Sequence, residues 1–356
     1  MRTIGREQML DISVGGGFLG AGGGGSVREG AKLVDRILQF GTGVELASAD
    51  EIDDEAWGAV IAGMGSPVAS KSNPRTYSPT WAMETLAEAM GFEPAFVIPF
   101  ETGAGNSLTP MQVAIQKNIP VVDGDPVGRA VPQIDMTTFH LGGIHISPLG
   151  LANEDRITAL LRTESPYDME RVGRAIASEL GGVAAIACYA MRGVDMKRHI
   201  IRDTTTLCEG IGAAIRTTRE SGGDVAAALL ERFDAYLLGR GTVAAVESGT
   251  RGGFDFGRVE VRGDVPLDVA FQNENMVATR DGTVLATVPD LICAVDGEGI
   301  PMTNADIVEG MEITYLGMAA NPAFRSPEAF ALFSRALDVL GFREDFVPIE
   351  NLMGHD

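Results

Sequence analysis

The stretch AFVIPFETGAGNSLTPMQVAIQKNIPVV, residues 95–122, decides the fold. Its ends, Ala95–Phe100 (AFVIPF) and Ile119–Val122 (IPVV), are short apolar runs that read as buried strands. Between them Leu108–Lys117 reads as a helix that starts near Pro110, a residue tolerated in a first turn. Strand, helix and strand at this spacing form the unit of a parallel sheet. Upstream, Ala59–Met64 (AVIAGM) reads as another buried strand and Thr80–Met90 as a helix. The expected class is α/β, with an N-terminal, mainly parallel sheet and flanking helices. In such sheets ligands sit beyond the carboxyl ends of the strands. Those ends here are the loops Gly65–Asn73, Glu101–Ser107 and Asp123–Arg129, and with Gly22–Ser26 they form the expected mouth of a site.

The chain opens with an expected helix, Arg6–Val14, running into a glycine-rich loop. A second helix, Ser26–Gln39, follows with Ser26 placed to cap it. Further on, Tyr167–Leu180 reads as a helix and Val183–Ala190 as an apolar strand. Thr204–Arg219 and Val225–Leu238 read as helices. From Gly241 to about Tyr315 the texture changes to short alternating runs with turns such as Asp281-Gly282, which predicts an antiparallel, β-rich unit. A final helix, Pro327–Leu340, closes the chain. The expected division is an α/β site domain over 1–240 and a β-rich domain with its closing helix over 241–356.

Composition narrows the function. The 356 residues carry 49 acidic against 28 basic side chains, a formal charge of −21, and no basic run. So negative a surface repels phosphate backbones, so a nucleic-acid partner is not expected. The longest nearly uncharged apolar run, around Gly181–Met191, is far short of the ~20 residues of a membrane span. Met1–Asp11 has no apolar leader, and a cytoplasmic location is expected. The three cysteines are far apart and none forms a CxxC pair, which argues against a disulfide framework or a structural zinc. There is no GxSxG elbow, no HExxH and no deaminase Cys/His signature.

Phe18–Ser26 (FLGAGGGGS) can present backbone amides to an anion or a substrate. A dinucleotide fingerprint needs a preceding strand, and the preceding segment reads as a helix. The alternative is a tight structural turn. Val121–Met136 (VVDGDPVGRAVPQIDM) is the densest signal, with Asp123 and Asp125 just past a strand and Arg129 nearby. Two carboxylates there can exchange a proton or hold a divalent metal. Otherwise Asp123 caps a turn and Asp125 pairs with Arg129. His140 and His145 could complete a metal set, or be solvated loop histidines. Glu101 and Asn106 end a strand and are natural substrate contacts. Lys71 could bind an anion, whereas Cys208 reads as buried, His199 as a polar-edge residue and His355 as part of the tail.

Taken in order, LGAGGGGS, AGMGSP, ETGAGNS, IPVVDGDPVGRAVPQIDM, FQNENMVA and ATVPDLICAVD resemble the S-methyl-thiohydantoin desulfurase family, commonly linked to hydantoinase and oxoprolinase genes. The resemblance implies a two-domain α/β protein that hydrolytically removes thiol or sulfide from a five-membered heterocycle. Two departures stand out. GAGGGGSV replaces GTGGGGDP, so Ser26 stands where relatives have a carboxylate, and Gly65–Lys71 is shortened, with Ser70 before Lys71. On this reading Asp123 or Asp125 is the base or a metal ligand, with Glu101 beside them. The amides of Gly22, Gly23, Gly24 and Gly25 hold the ring carbonyl next to Ser26, and Asn106 and Arg129 orient polar substituents. The alternatives are a hydrolase of hydantoin-type rings and a non-catalytic subunit of a hydantoinase-like complex. A homo-oligomer is expected.

Overall fold

A computed structural model describes residues 1–65 and 75–354. Lys71, the shortened Gly65–Lys71 loop beyond Gly65, and His355 lie outside these residues. The first sheet has eight strands in the order β1-β2-β5-β4-β3-β9-β7-β8. They are β1 (Arg2–Ile4), β2 (Val44–Ala47), β3 (Trp57–Gly65), β4 (Pro94–Pro99), β5 (Val121–Val122), β7 (Leu149–Ala152), β8 (Thr158–Leu161) and β9 (Val183–Arg192). The central block β2-β5-β4-β3 is parallel, and the outer pairs are antiparallel. A small ladder joins β6 (Gly124–Asp125) to β10 (Ile201–Arg202).

The apolar runs of β3 and β4 are buried on both faces, as a covered parallel sheet requires. Ala59, Ile61 and Val97 face one core cluster, and Val60, Ala62, Phe96 and Ile98 the other, following the two-residue period of a strand. The longer helices are α1 (Arg6–Leu19), α2 (Val27–Ile37), α3 (Ser78–Met90), α4 (Thr109–Lys117), α5 (Pro166–Glu179), α6 (Thr204–Glu220), α7 (Val225–Arg232) and α8 (Pro327–Val339).

Two elements differ from the sequence reading. α1 continues through Gly15–Gly17 instead of ending at Val14, because these glycines serve packing. A Cβ at Gly15 would lie 1.9 Å from the Cys208 carbonyl oxygen, and one at Gly212 would lie 1.9 Å from that of Asp11. α1 and α6 therefore meet backbone to backbone. The expected helix Val225–Leu238 stops at Arg232; Asp234 takes a positive φ of 47°, and Tyr236 already begins a strand.

The second sheet is wholly antiparallel, in the order β15-β14-β13-β12-β11-β17-β16. Its strands are β11 (Tyr236–Arg251), β12 (Phe254–Val265), β13 (Leu267–Gln272), β14 (Glu274–Arg280), β15 (Thr283–Thr287), β16 (Leu291–Asp296) and β17 (Glu312–Met318). Asp281 and Gly282, both at positive φ, make the two-residue turn between β14 and β15, as their sequence predicts. Among the described residues no helix is long and apolar enough to cross a membrane.

Candidate active site

A cavity of about 590 Å³ opens past the carboxyl ends of β3 and β4 and reaches the β13–β14 turn of the second sheet. Gly22–Ser26, Glu101 and Asn106 line it, as expected. Val131–Ile134 line it too, downstream of the Asp123–Arg129 segment expected there.

Glu101 follows β4 and is almost wholly buried. One of its oxygens accepts a hydrogen bond from Asn106 Nδ2 at 2.7 Å, and the other accepts from the Val131 amide at 2.8 Å. Asn106 Oδ1 in turn accepts from the Gly63 amide at 3.3 Å, so β3, the loop after β4 and the Val131 segment together hold one carboxyl in place. Burial pushes the Glu101 carboxyl up to about 7, with the charge of Asp125 adding to it. Its hydrogen bonds and the Arg129 guanidinium oppose the shift without cancelling it.

Glu274 opens β14 directly after Asn273, which turns the chain at a φ of 55°. Burial holds its carboxyl well above the usual carboxylate range, and Glu101 pushes it further. Glu274 Oε2 has no hydrogen-bond partner. The glycine loop closes on this side chain: a Cβ at Gly23 would lie 2.0 Å from Glu274 Oε1. Only a residue without a side chain fits there.

The loop is stitched to both sheets. The Gly22 carbonyl accepts from the Asn304 amide at 3.0 Å, and the Gly24 carbonyl accepts from the Gly105 amide at 3.0 Å. The Gly23 amide donates to Gly20 at 2.9 Å, so it belongs to the loop's own turn and does not point to a ligand. Ser26 caps α2 by accepting from the Glu29 amide at 3.4 Å.

The remaining expected site residues do not line the cavity. Asp123 instead caps α6, accepting from the Thr206 amide at 3.0 Å and from the Thr206 hydroxyl. Asp125 shapes its own turn, accepting from the amides of Val127 at 2.7 Å and Gly128 at 2.6 Å and from the Thr102 hydroxyl at 3.2 Å. Arg129 is buried and donates to the carbonyls of Ala130, Pro289, Asp290 and Asn275 at 2.8–3.1 Å. It ties the two sheets together, leaving neither an Asp125 pairing nor a substrate contact. His140 sits in the short helix Thr138–Leu141, and His145 is exposed. Among the described residues no three His, Cys, Asp or Glu side chains gather as a metal site. The expected set of Asp123, Asp125, His140 and His145 therefore does not converge, because each aspartate is occupied with local backbone and hydroxyl donors.

Among the lining residues absent from the sequence-based site are Glu274, Asn304, Arg36, Arg75 and Arg174. Glu274 lies inside FQNENMVA, which marks the family resemblance but reveals no role by itself. Burial, with the charge of Arg36 adding to it, lowers the Arg75 guanidinium to about 10.

A family model for the S-Me-THD-like N-terminal domain matches residues 7–163, and one for the S-Me-THD-like C-terminal domain matches 164–349. Their junction precedes β9, so the second model takes in a strand of the first sheet. A crystal structure of a protein from Chromobacterium violaceum superposes with a TM-score of 0.86 at 22% identity, covering 98% of this chain and 100% of that one. At that identity the likeness shows the fold. No curated protein matches the chain. The two domain models together span the architecture from α1 to the end of the second sheet, and the chain belongs to the S-Me-THD-like family, that of the S-methyl-thiohydantoin desulfurases.

Proposed function

We propose that the cavity binds a thiohydantoin-type five-membered ring and desulfurates it by hydrolysis, with Glu101 and Glu274 as the acid–base pair. The observation that carries this reading is the pair of buried carboxyls at the cavity wall, one raised to about 7 and the other held well above the usual carboxylate range by burial and by the charge of the first. Where the charge of one buried carboxyl raises the other, the pair takes different protonation states near neutral pH.

In an S-methylated ring the sulfur-bearing carbon is doubly bonded to one ring nitrogen. Protonated Glu274 donates to that nitrogen and makes the carbon more electrophilic. Ionised Glu101 accepts a proton from water as its oxygen bonds to the same carbon. The tetrahedral intermediate then breaks its carbon–sulfur bond. The ring nitrogen keeps the proton from Glu274, the intermediate's hydroxyl proton passes to the departing sulfur as the carbonyl forms, and water's other proton rests on Glu101, giving hydantoin and methanethiol. Each half of the pair finishes in the state its partner began in, and proton exchange resets it.

The test is thiol release from S-methyl-thiohydantoins and sulfide release from thiohydantoins, with Glu101→Gln as the control. Release by the native chain and none by the variant supports the reading. Ring opening of hydantoin without sulfur release would favour a ring hydrolase instead.

A further inference from the structure

Beyond the carboxyl pair, the cavity wall near the glycine loop carries a buried amide oxygen, that of Asn304, without a hydrogen-bond partner. Asn304 and Glu274 both line this region; Glu274 Oε2 is unpaired as well, on the carboxyl already assigned as a donor. Asn275 Oδ1 and Gln272 Oε1, in the two strands that flank Asn273, are unpaired but do not line the cavity. Buried polar groups in folded proteins nearly always have partners, so an unpaired amide oxygen at the cavity wall points to a ligand that brings a donor.

Asn304 is the best defined of these. Its Nδ2 donates to the Asn273 carbonyl at 2.8 Å, which sets the amide orientation and turns Oδ1 away from that bond. Its backbone amide donates to the Gly22 carbonyl at 3.0 Å. The amide group also packs against Gly22, where a Cβ would lie 2.5 Å from Asn304 Nδ2 and 3.1 Å from Asn275 Nδ2. The side chain is 8% exposed and held from three sides, so Oδ1 is a fixed acceptor.

We infer that Asn304 is a specificity-determining residue, whose Oδ1 accepts the ring N–H of the substrate and so restricts the site to rings left unsubstituted at that nitrogen. The inference rests on the proposed desulfurase reading and adds to it. Glu274 supplies a donor to the imine-type ring nitrogen, and Asn304 accepts from the other. A ring N-methyl group would leave Asn304 Oδ1 unpaired and crowd the wall against Gly22. Sites built around a substrate N–H discriminate strongly for this reason.

The experiment compares one S-methyl-thiohydantoin with its N-methyl derivative, using the intact chain for turnover and equilibrium binding. Native protein should prefer the N–H ring by about a hundredfold or more in kcat/KM. In Asn304→Ala that preference should collapse to within about tenfold, through loss on the N–H ring alone. A merely structural role would lower both rings together and keep the ratio. If Asn304→Ala does not fold, Asn304→Ser serves, and the native comparison needs no variant. Equal use of both rings by native protein, or an unchanged ratio in a folded variant, would overturn the inference. Discrimination seen in binding without turnover would remove the hydrolysis and leave the recognition standing. Binding of neither ring would overturn both.

Discussion

Arg129 Nη2 donates to the carbonyl of Asn275 at 3.1 Å, joining the loop after β6 to the strand that carries Glu274. The same guanidinium serves three further carbonyls, so it is a buried cation held by backbone and by the nearby charges of Glu274, Asp290 and Glu101. Removing it would orphan those carbonyls in a dry interior. Arg129→Ala should cost about 3–5 kcal/mol, read by denaturant unfolding. Arg129→Lys should recover little of it, since an ammonium lacks the planar fork of donors. A loss under 1 kcal/mol would remove Arg129 as the tie between the sheets.

The Glu101 carboxyl fixes a pH dependence. On the proposed reading it acts as base in its ionised form, so kcat/KM should rise with pH through about 7. Stability should run the other way. A folded-state value raised above the ordinary 4.5 means the native protein holds this proton more tightly than the unfolded chain. The resulting stabilisation is fully present below about 4.5 and is lost as pH rises to about 7. Burial raises Glu274, Asp125 and Asp290 in the same direction. Glu101→Gln should remove this residue's share of the decline between pH 5 and 7 and abolish turnover. Unfolding midpoints at several pH values decide the first point, and thiol release the second.

Gly23 offers a substitution aimed at the site with little effect on the fold. It keeps an ordinary backbone conformation, yet a Cβ there meets Glu274 Oε1 at 2.0 Å. Gly23→Ala must displace that carboxyl. Turnover should fall by about a hundredfold, the cost of misplacing a catalytic group by roughly 1 Å, while the melting temperature changes little. Gly24→Ala is the contrast. Its φ of +71° and the Gly103 Cα only 2.6 Å from the added carbon make that variant a stability mutant.

Much of this architecture was legible in the sequence, and the reasons are local. The apolar runs around Val60 and Val97 could only be buried strands, Ser26 could only cap what followed, and Asp281-Gly282 announced its turn. Glu101 and Asn106 were expected at the mouth because strand ends carry ligands, and both line the cavity. Two kinds of feature were not legible. The glycines of α1 resemble a loop until Cys208 and Asp11 are seen packed against the partner glycines. Asp123 and Asp125 resemble a catalytic pair until Thr206 and the Val127 and Gly128 amides claim them. Glu274 joins the site only through the packing of two sheets, a contact that no local pattern encodes.

Asp123 therefore has a different prediction from the one its position suggests. As the acceptor for both the amide and the hydroxyl of Thr206, the third residue of α6, it should behave as a helix cap. Asp123→Ala should lower stability by about 1 kcal/mol and leave kcat/KM within about threefold of native. Loss of turnover with the fold intact would return Asp123 to the chemistry.

The long β11–β12 hairpin gives the last prediction. Its tip reaches the cavity, where Val246, Ser248–Thr250, Gly253 and Asp255 contribute to the wall. Arg174 of α5 holds that tip. Its guanidinium stacks on Phe254 at 4.5 Å from the ring centre, donates to the Gly253 carbonyl at 3.5 Å and to the Pro132 carbonyl at 3.2 Å, and pairs with Glu170. Pro132 adjoins Val131, whose amide donates to Glu101, so one arginine links the hairpin to the carboxyl's own loop. Arg174→Ala removes the stacking and both carbonyl contacts while leaving the strand ladder intact. The tip should then sample open positions, so KM should rise by about tenfold or more, since ordering the wall must be repeated at each binding event. The peptide bonds near Gly252-Gly253 should become more sensitive to protease, and saturating ligand should restore protection. A variant with unchanged KM and unchanged cleavage would show that the strands alone hold the hairpin in place, and that Arg174 only covers Phe254.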